Sequence, residues 1–221
     1  MKQQIKEMLE MQDALNCKII GDDWRDQDIP FYRAAWVECA ELIDHYGWKW
    51  WKKQEPDMAQ VKLELVDIWH FILSDLLTYG FKDAEHIIYR KYRTATPEDF
   101  LRMQIHDDFS IDQHFIDMCE GFSSQCLNED SPDVCMFSSI CNTINLSFEE
   151  LYRLYIAKNI LNEFRQENGY NDGSYKKVID GKEDNQVLMD IVNCYQDDAP
   201  MDYKAHVRMM LRSYYSLNCP L

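Results

Sequence analysis

Glycine and proline are scarce in this sequence, at seven and six residues in 221. Runs that alternate Val, Ile or Thr with polar residues are also few, and together these shortages argue against a large sheet. No stretch is long and apolar enough to span a bilayer. The opening MKQQIKEMLEMQDAL lacks the apolar h-region of a signal peptide and reads as an amphipathic helix instead. The eight cysteines (Cys17, Cys39, Cys119, Cys126, Cys135, Cys141, Cys194 and Cys219) form no CxxC pair. Scattered thiols of this kind read as reduced, mostly buried small hydrophobes of a cytoplasmic protein. Positive charge is in short supply: 23 basic residues stand against 39 acidic ones, for a net charge of −16. That balance disfavours nonspecific binding to nucleic acid or to an anionic membrane, and neither is expected as a partner. It also poses a problem for any anionic ligand, one that a metal cation would solve.

What is present is apolar and helical. The apolar fraction of 46%, with 13% aromatics, supplies a substantial core. Residues 2–17 place Ile5, Met8, Leu9, Met11 (or Gln12) and Leu15 at helical spacing. Two long apolar-rich helices are expected at 31–46 and 58–79, separated by a linker with Gly47, Glu55 and Pro56. In TPEDF (96–100) Thr96 stands as N-cap with Pro97 in the first turn, and SPDVCMF (131–137) repeats the Ser-cap and Pro signature. The stretch 147–169 opens on a capping box of Ser147 and Glu150 and stops at Gly169. Leu151, Leu154, Ala157 or Lys158, Leu161 and Phe164 trace its stripe. A Gly/Asn/Asp-rich loop (169–185) follows, then helical patterns at about 184–196 and 201–217. The expected fold class is all-α: a single domain over 1–221, with a helical bundle core from about 1–80 and 147–221. The segment at about 81–146 reads as a smaller inserted helical lobe.

Two carboxylate pairs interrupt the apolar helices. Glu38 and Glu41 are three apart in WVECAELIDHYGWKWWKK, beside Val37, Ala40, Leu42 and Ile43. Glu64 and Asp67, in KLELVDIWHF, repeat the device among Leu63, Leu65, Val66 and Ile68. A spacing of three puts both members of a pair on one helix face. If the two helices pack antiparallel, as the short linker suggests, four carboxylates converge. Four negative charges in a partly desolvated patch require protons or cations. Hard oxygen ligands favour Mg²⁺, with Mn²⁺ possible. A pair of this kind on a helix more often faces water; two pairs on linked apolar helices point to a metal site. A carboxylate cluster holding Mg²⁺ is suited to gripping phosphate oxygens and activating water.

The order ExxE, YGWKWWKK, ExxDIWHF and KNILNEFRQENGYNDGSYKKVIDGKEDN resembles the dimeric all-α dUTPases, a branch of the MazG-like nucleoside-triphosphate pyrophosphohydrolases. The resemblance covers the first 80 residues and about 147–200. It implies a homodimer that hydrolyses dUTP, and dUDP as well, to dUMP, using two or three Mg²⁺ ions. Glu38, Glu41, Glu64 and Asp67 would be the ligands, with Glu41 also orienting or deprotonating the attacking water and Glu38 beside it in catalysis. Trp50, His70 and Phe71 match positions around the base and sugar. Lys158, Arg165 and Lys176 or Tyr175 fall where phosphate-binding groups are placed, with Asn162 and Asn185 as polar contacts. Gln12 and Asn16 correspond to amides that read the uracil edge. Asp13, between them, departs from the pattern; an acceptor-only carboxylate would favour the cytosine amino group. His70 reads equally as a core histidine bonded to a backbone carbonyl, and of Trp48, Trp50 and Trp51 at least one belongs to the core or to a dimer interface.

Three other readings stand beside this one. A dCTP/dUTP or broader dNTP pyrophosphatase would use the same site. A catalytically silent helical module would leave the carboxylates as a solvated face. A di-iron bundle needs Glu-x-x-His pairs, which are not in the expected place.

Overall fold

The computed structural model of the chain describes residues 1–94, 111–196 and 201–218. Among them are nine α-helices and one two-residue hairpin, so the protein is an all-α helical bundle. TPEDF lies outside the described residues. The chain divides into two compact units, 1–152 and 153–221.

The first unit is built on α1 (Lys2–Ile19), α2 (Phe31–Tyr46), α3 (Met58–Thr78), α4 (Phe81–Thr94), α5 (Ile111–Glu129) and α6 (Val134–Thr143). Helix α1 buries Ile5, Met8, Leu9 and Leu15, and its stripe continues through Gln12 and Asn16 rather than Met11. Helix α3 is the central element, apolar enough to be buried on several faces: Val61, Leu63, Leu65, Val66, Ile68, Trp69, Ile72, Leu73 and Leu77 are all fully buried. It packs against α1, α2 and α4. Trp69 is the hub of this packing. Its ring stacks on Phe137 of α6 at 5.1 Å and meets Tyr92 of α4 edge-on at 5.9 Å, while its indole N–H donates to Met8 Sδ of α1 at 3.3 Å. Fully burying a side chain of this size stabilises by a few kcal/mol, about 3–5 by the cost of truncating it to alanine.

Helices α2 and α3 are joined by an eleven-residue return whose ends are fixed by the backbone. Gly47 adopts φ 95° and donates to Ile43 O at 3.1 Å, which ends α2, and Asp57 N donates to His45 O at 3.0 Å, which starts α3 beside that end. The left-handed φ explains the glycine. Helix α6 is capped by Asp133, whose carboxylate accepts from Cys135 N at 2.8 Å and Met136 N at 2.9 Å. This corrects the Ser131 cap expected from the sequence. The Ser131 hydroxyl instead donates to Asp75 Oδ2 at 2.9 Å.

The boundary between units falls within α7 (Phe148–Glu167). Ser147 accepts from Glu150 N at 3.1 Å, as a capping box requires. The Glu150 carboxylate turns to Lys62 of α3 at 2.6 Å, so only the hydroxyl arm of the box is used. The second unit adds α8 (Asp184–Cys194) and α9 (Tyr203–Asn218), which pack together. Gly169, at φ 89°, ends α7; a Cβ there would lie 1.9 Å from Ser174 Oγ. The loop expected over 169–185 contains a hairpin, β1 (Val178–Ile179) paired with β2 (Lys182–Glu183), and α8 starts straight after it. Tyr214 and Tyr215 of α9 pin this loop by donating to Ile179 O at 3.1 Å and Lys176 O at 2.7 Å. The seven described cysteines are free thiols, as expected.

Asp75 is an uncomfortable group in the first unit. Burial pushes its carboxyl up to about 6, only partly offset by the Ser131 hydroxyl. A folded value above the unfolded one means that ionisation opposes folding, fully above about pH 6 and not at all below about pH 4. Asp75→Asn should therefore stabilise the protein at pH 8 by roughly 2 kcal/mol, with the gain fading between about pH 6 and 4. Urea unfolding across that range checks this, and a pH-independent difference would contradict it.

Candidate active site

Helix α2 presents Glu38 and Glu41 from the turns that bury Cys39 and Leu42, and α3 presents Glu64 between the buried Leu63 and Leu65. The three side chains each offer an oxygen, and these atoms all lie within 4.8 Å of one another. Glu64 is 5% exposed, Glu38 half-buried and Glu41 exposed. Asp67, half-buried and one turn along α3, is not in that group of three. Its charge nevertheless acts on Glu38.

Glu38 registers the whole patch. Burial pushes its carboxyl up to about 8, and the charges of Asp67, Glu64 and Glu41 push the same way. A hydrogen bond to Glu64 adds to the effect, because only a protonated Glu38 can donate it. Near neutral pH the cluster therefore holds a proton that an isolated glutamate would release. Three converging carboxylates without a sulfur donor fit a hard, oxygen-preferring divalent cation.

One neighbour escaped the sequence reading. His45 Nε2 lies 3.6 Å from Glu64 Oε1. Its signal was spacing: His45 follows Glu41 by four residues and Glu38 by seven, which keeps all three on one face of α2.

The residues matched to base and sugar are scattered in character. Trp50 is 89% exposed, edge-on to Trp51 at 5.5 Å, and Trp48 meets Trp51 edge-on at 5.2 Å. Trp48 and Trp51 are exposed as well; the fully buried tryptophans are Trp24 and Trp69. His70 is buried, with Nδ1 2.7 Å from Val66 O, the backbone-bonded arrangement weighed from the sequence. Phe71 is half-buried on the same helix. Gln12 and Asn16 are buried and share Ser74: both amides donate to its hydroxyl oxygen at 3.0 Å, and Gln12 donates to Asn16 Oδ1 at 2.9 Å. Asp13 accepts from the Trp24 indole N–H at 3.0 Å and pairs with Arg25. Its Oδ1 thus fastens the 24–26 turn.

In the second unit the expected phosphate residues form one network around a residue that was not singled out. Arg165 grips Asp184 bidentately, Nε to Oδ2 and Nη2 to Oδ1, both at 2.8 Å. Its Nη1 donates to Asn162 Oδ1 at 3.1 Å and its Nη2 to Asn185 Oδ1 at 3.3 Å. Lys158, 2% exposed, donates to the same Asn185 oxygen at 2.8 Å. The Tyr175 hydroxyl donates to Asp184 Oδ2 at 2.9 Å. Burial alone would raise the Asp184 carboxyl, but the Arg165 guanidinium outweighs it and holds Asp184 below the usual carboxylate range. Lys176, the alternative to Tyr175, is exposed. The signal for Asp184 was its place in GKEDN, directly before Asn185.

Fold and site together define an all-α protein with a hard-oxygen carboxylate cluster of the kind that serves phosphate chemistry. A family model for dUTPase matches residues 4–170, well over half of the chain, and the chain belongs to that all-α dimeric dUTPase family. Membership makes it a dUTP diphosphatase, a hydrolase of dUTP and dUDP that uses divalent metal. The matched span includes the carboxylates, Lys158, Asn162 and Arg165, and ends before Tyr175, Lys176, Asp184 and Asn185. Comparison with curated proteins finds no match. No helix among the described residues is long and apolar enough to cross a membrane.

Repulsion within the cluster has a consequence for stability in the absence of metal. The folded Glu38 carboxyl titrates near 8 and the unfolded one near 4.5, so at neutral pH folding must take up a proton. Neutral glutamine avoids this. In chelator at about pH 7.5, Glu38→Gln should raise the unfolding midpoint by roughly 2–5 °C, with the advantage gone at pH values near 4.5. A scanning calorimetry series tests it; a lower midpoint for the variant at neutral pH would refute the repulsion.

Proposed function

We propose that Glu38, Glu41, Glu64 and Asp67 together hold Mg²⁺, two or three ions with Mn²⁺ as a substitute, and that dUTP and dUDP are hydrolysed there to dUMP. The observation that carries the reading is the approach of Glu38, Glu41 and Glu64 within 4.8 Å, with Asp67 close enough to push the Glu38 carboxyl upward. Bound metal would neutralise charge on the phosphates and acidify a water at the site.

The chain's own residues divide the remaining work. Glu41, exposed at the edge of the cluster, orients the attacking water and accepts its proton as general base. Glu38, beside it, would release the proton it holds against Glu64 when metal binds and take part as an ionised ligand. The water attacks the β-phosphorus and the bond from that phosphorus to the α–β bridging oxygen breaks, so that dUTP gives dUMP and pyrophosphate and dUDP gives dUMP and orthophosphate. Lys158, Asn162, Arg165, Tyr175, Lys176 and Asn185 supply cationic and polar contacts to the phosphates, and loop 169–185 closes over them to exclude bulk water. Trp50, His70 and Phe71 border the base and sugar, and Gln12 and Asn16 keep the uracil-reading role given by the resemblance. The working assembly is a homodimer. A dCTP/dUTP or broader dNTP pyrophosphatase would use the same site.

Glu41→Gln should lower dUTP hydrolysis by about a thousandfold or more, while calorimetric titration still detects binding of a non-hydrolysable dUTP analogue with Mg²⁺. Retained hydrolysis would sink the general-base assignment. Activity on dCTP, dTTP or dATP equal to that on dUTP would overturn the substrate assignment.

A further inference from the structure

Asp184 is an acidic residue at the centre of a group assigned to an anionic ligand. It is 2% exposed and both its oxygens are used, Oδ1 by Arg165 Nη2, Oδ2 by Arg165 Nε and by the Tyr175 hydroxyl. It is the first residue of α8, and its backbone is set by the hairpin before it: Asp184 N donates to Lys177 O at 2.9 Å, and Glu183 and Gln186 close a capping box around the same turn. A planar guanidinium has two bidentate edges beside Nη2, and a carboxylate that occupies one fixes the direction of the other.

Building on the phosphate role proposed above, we infer that Asp184 is a positioning residue for that reaction, acting through Arg165. By taking the Nε–Nη2 edge it fixes the direction of the Nη1 side, which donates to Asn162, and fixes Tyr175 in the same stroke. It also offsets one of the two cations, Arg165 and Lys158, that Asn185 Oδ1 draws together at 3.3 and 2.8 Å. Without it the two positive charges would repel within a nearly dry site, and Arg165 would be free to swing to a different donor edge. The residue thus improves phosphate binding although its own charge opposes it.

The test is a double-mutant cycle on the full-length enzyme with dUTP and Mg²⁺, reading KM and kcat separately for Asp184→Asn, Arg165→Gln and the pair. Asparagine keeps the shape but places an amide against one guanidinium nitrogen. Asp184→Asn should raise KM by about tenfold or more, with kcat changed much less, and should add less than about twofold once Arg165 is already glutamine. Equal, multiplicative effects in both backgrounds would overturn the inference, because Asp184 would then act independently of Arg165. So would an unchanged KM accompanied only by a lower unfolding midpoint, the mark of a purely structural residue. If Arg165→Gln alone leaves KM and kcat untouched, the phosphate role of Arg165 fails and this inference fails with it; failure of Asp184→Asn alone leaves that role standing. Should Asp184→Asn not fold, Asp184→Glu keeps the charge but shifts the carboxylate along the guanidinium. A KM increase of about threefold that disappears in the Arg165→Gln background is then expected, and persistence of that increase would refute the inference.

Discussion

Repulsion between carboxylates held on two packed apolar helices is the constraint around which the first unit is arranged. Fully ionised, Glu38 and Glu64 would move apart into water, and nothing in their own chemistry would prevent it. The surrounding structure does. Gly47 and the Asp57–His45 backbone bond fix the return between α2 and α3, and the buried Cys39, Leu42, Leu63 and Leu65 set the facing turns. Trp69, clamped by Met8, Tyr92 and Phe137, keeps α3 from sliding or rotating. The electrostatic cost appears as a Glu38 carboxyl pushed to about 8, and hydrophobic packing of α3 on three sides offsets it. A site of this type is stable because its scaffold over-determines it, not because its members attract.

The same logic explains what the sequence made legible. Helices α1, α2 and α3 could be read because each has a run of apolar residues at helical spacing with a start or stop of definite chemistry, such as Gly47. The carboxylate pairs stood out because Glu38 and Glu64 violate those runs. Spacing within a helix is local information, so the shared face of Glu38 and Glu41 needed no tertiary knowledge. That Glu64 would meet them followed only from the shortness of the return. Fates decided by distant partners were not legible. Whether Ser131 caps α6 or serves Asp75 depends on a helix more than fifty residues away. Whether Glu150 closes its capping box or reaches Lys62 depends on α3. That Asp13 would fasten the turn carrying Trp24 and Arg25 depends on where that turn folds back.

The tryptophans mislead for a related reason. Composition says that indoles belong in cores, and Trp24 and Trp69 obey. Trp48, Trp50 and Trp51 lie in the return between α2 and α3, where a short loop has no interior to offer. They pack edge-on to one another instead, and Trp48 donates its N–H to Asp44 at 3.1 Å. Loops carry function more often than they carry core. The exposed cluster sits on the segment that also sets the spacing of the carboxylate helices, so a ligand or partner that contacts the indoles acts on a segment tied to the carboxylate pairs through only a few residues.

The two units solve the problem of buried charge in opposite ways. In the second, the chain supplies its own counter-ion: Asp184 neutralises Arg165, Tyr175 and Asn185 take up remaining hydrogen bonds, and the Asp184 carboxyl is held low. In the first, each carboxylate neighbour of Glu38 pushes the same way. His45 approaches Glu64 at 3.6 Å but is itself well exposed, too weak a partner for three converging acids. A chain able to place an Asp against an Arg in one unit could have placed an Arg against Glu38 in the other. An arginine there would satisfy the carboxylates permanently and leave no affinity for a cation. Leaving that position without a cation keeps negative charge available, and the divalent metal that the family uses is a source of compensating charge for an anionic substrate on a protein of net charge −16.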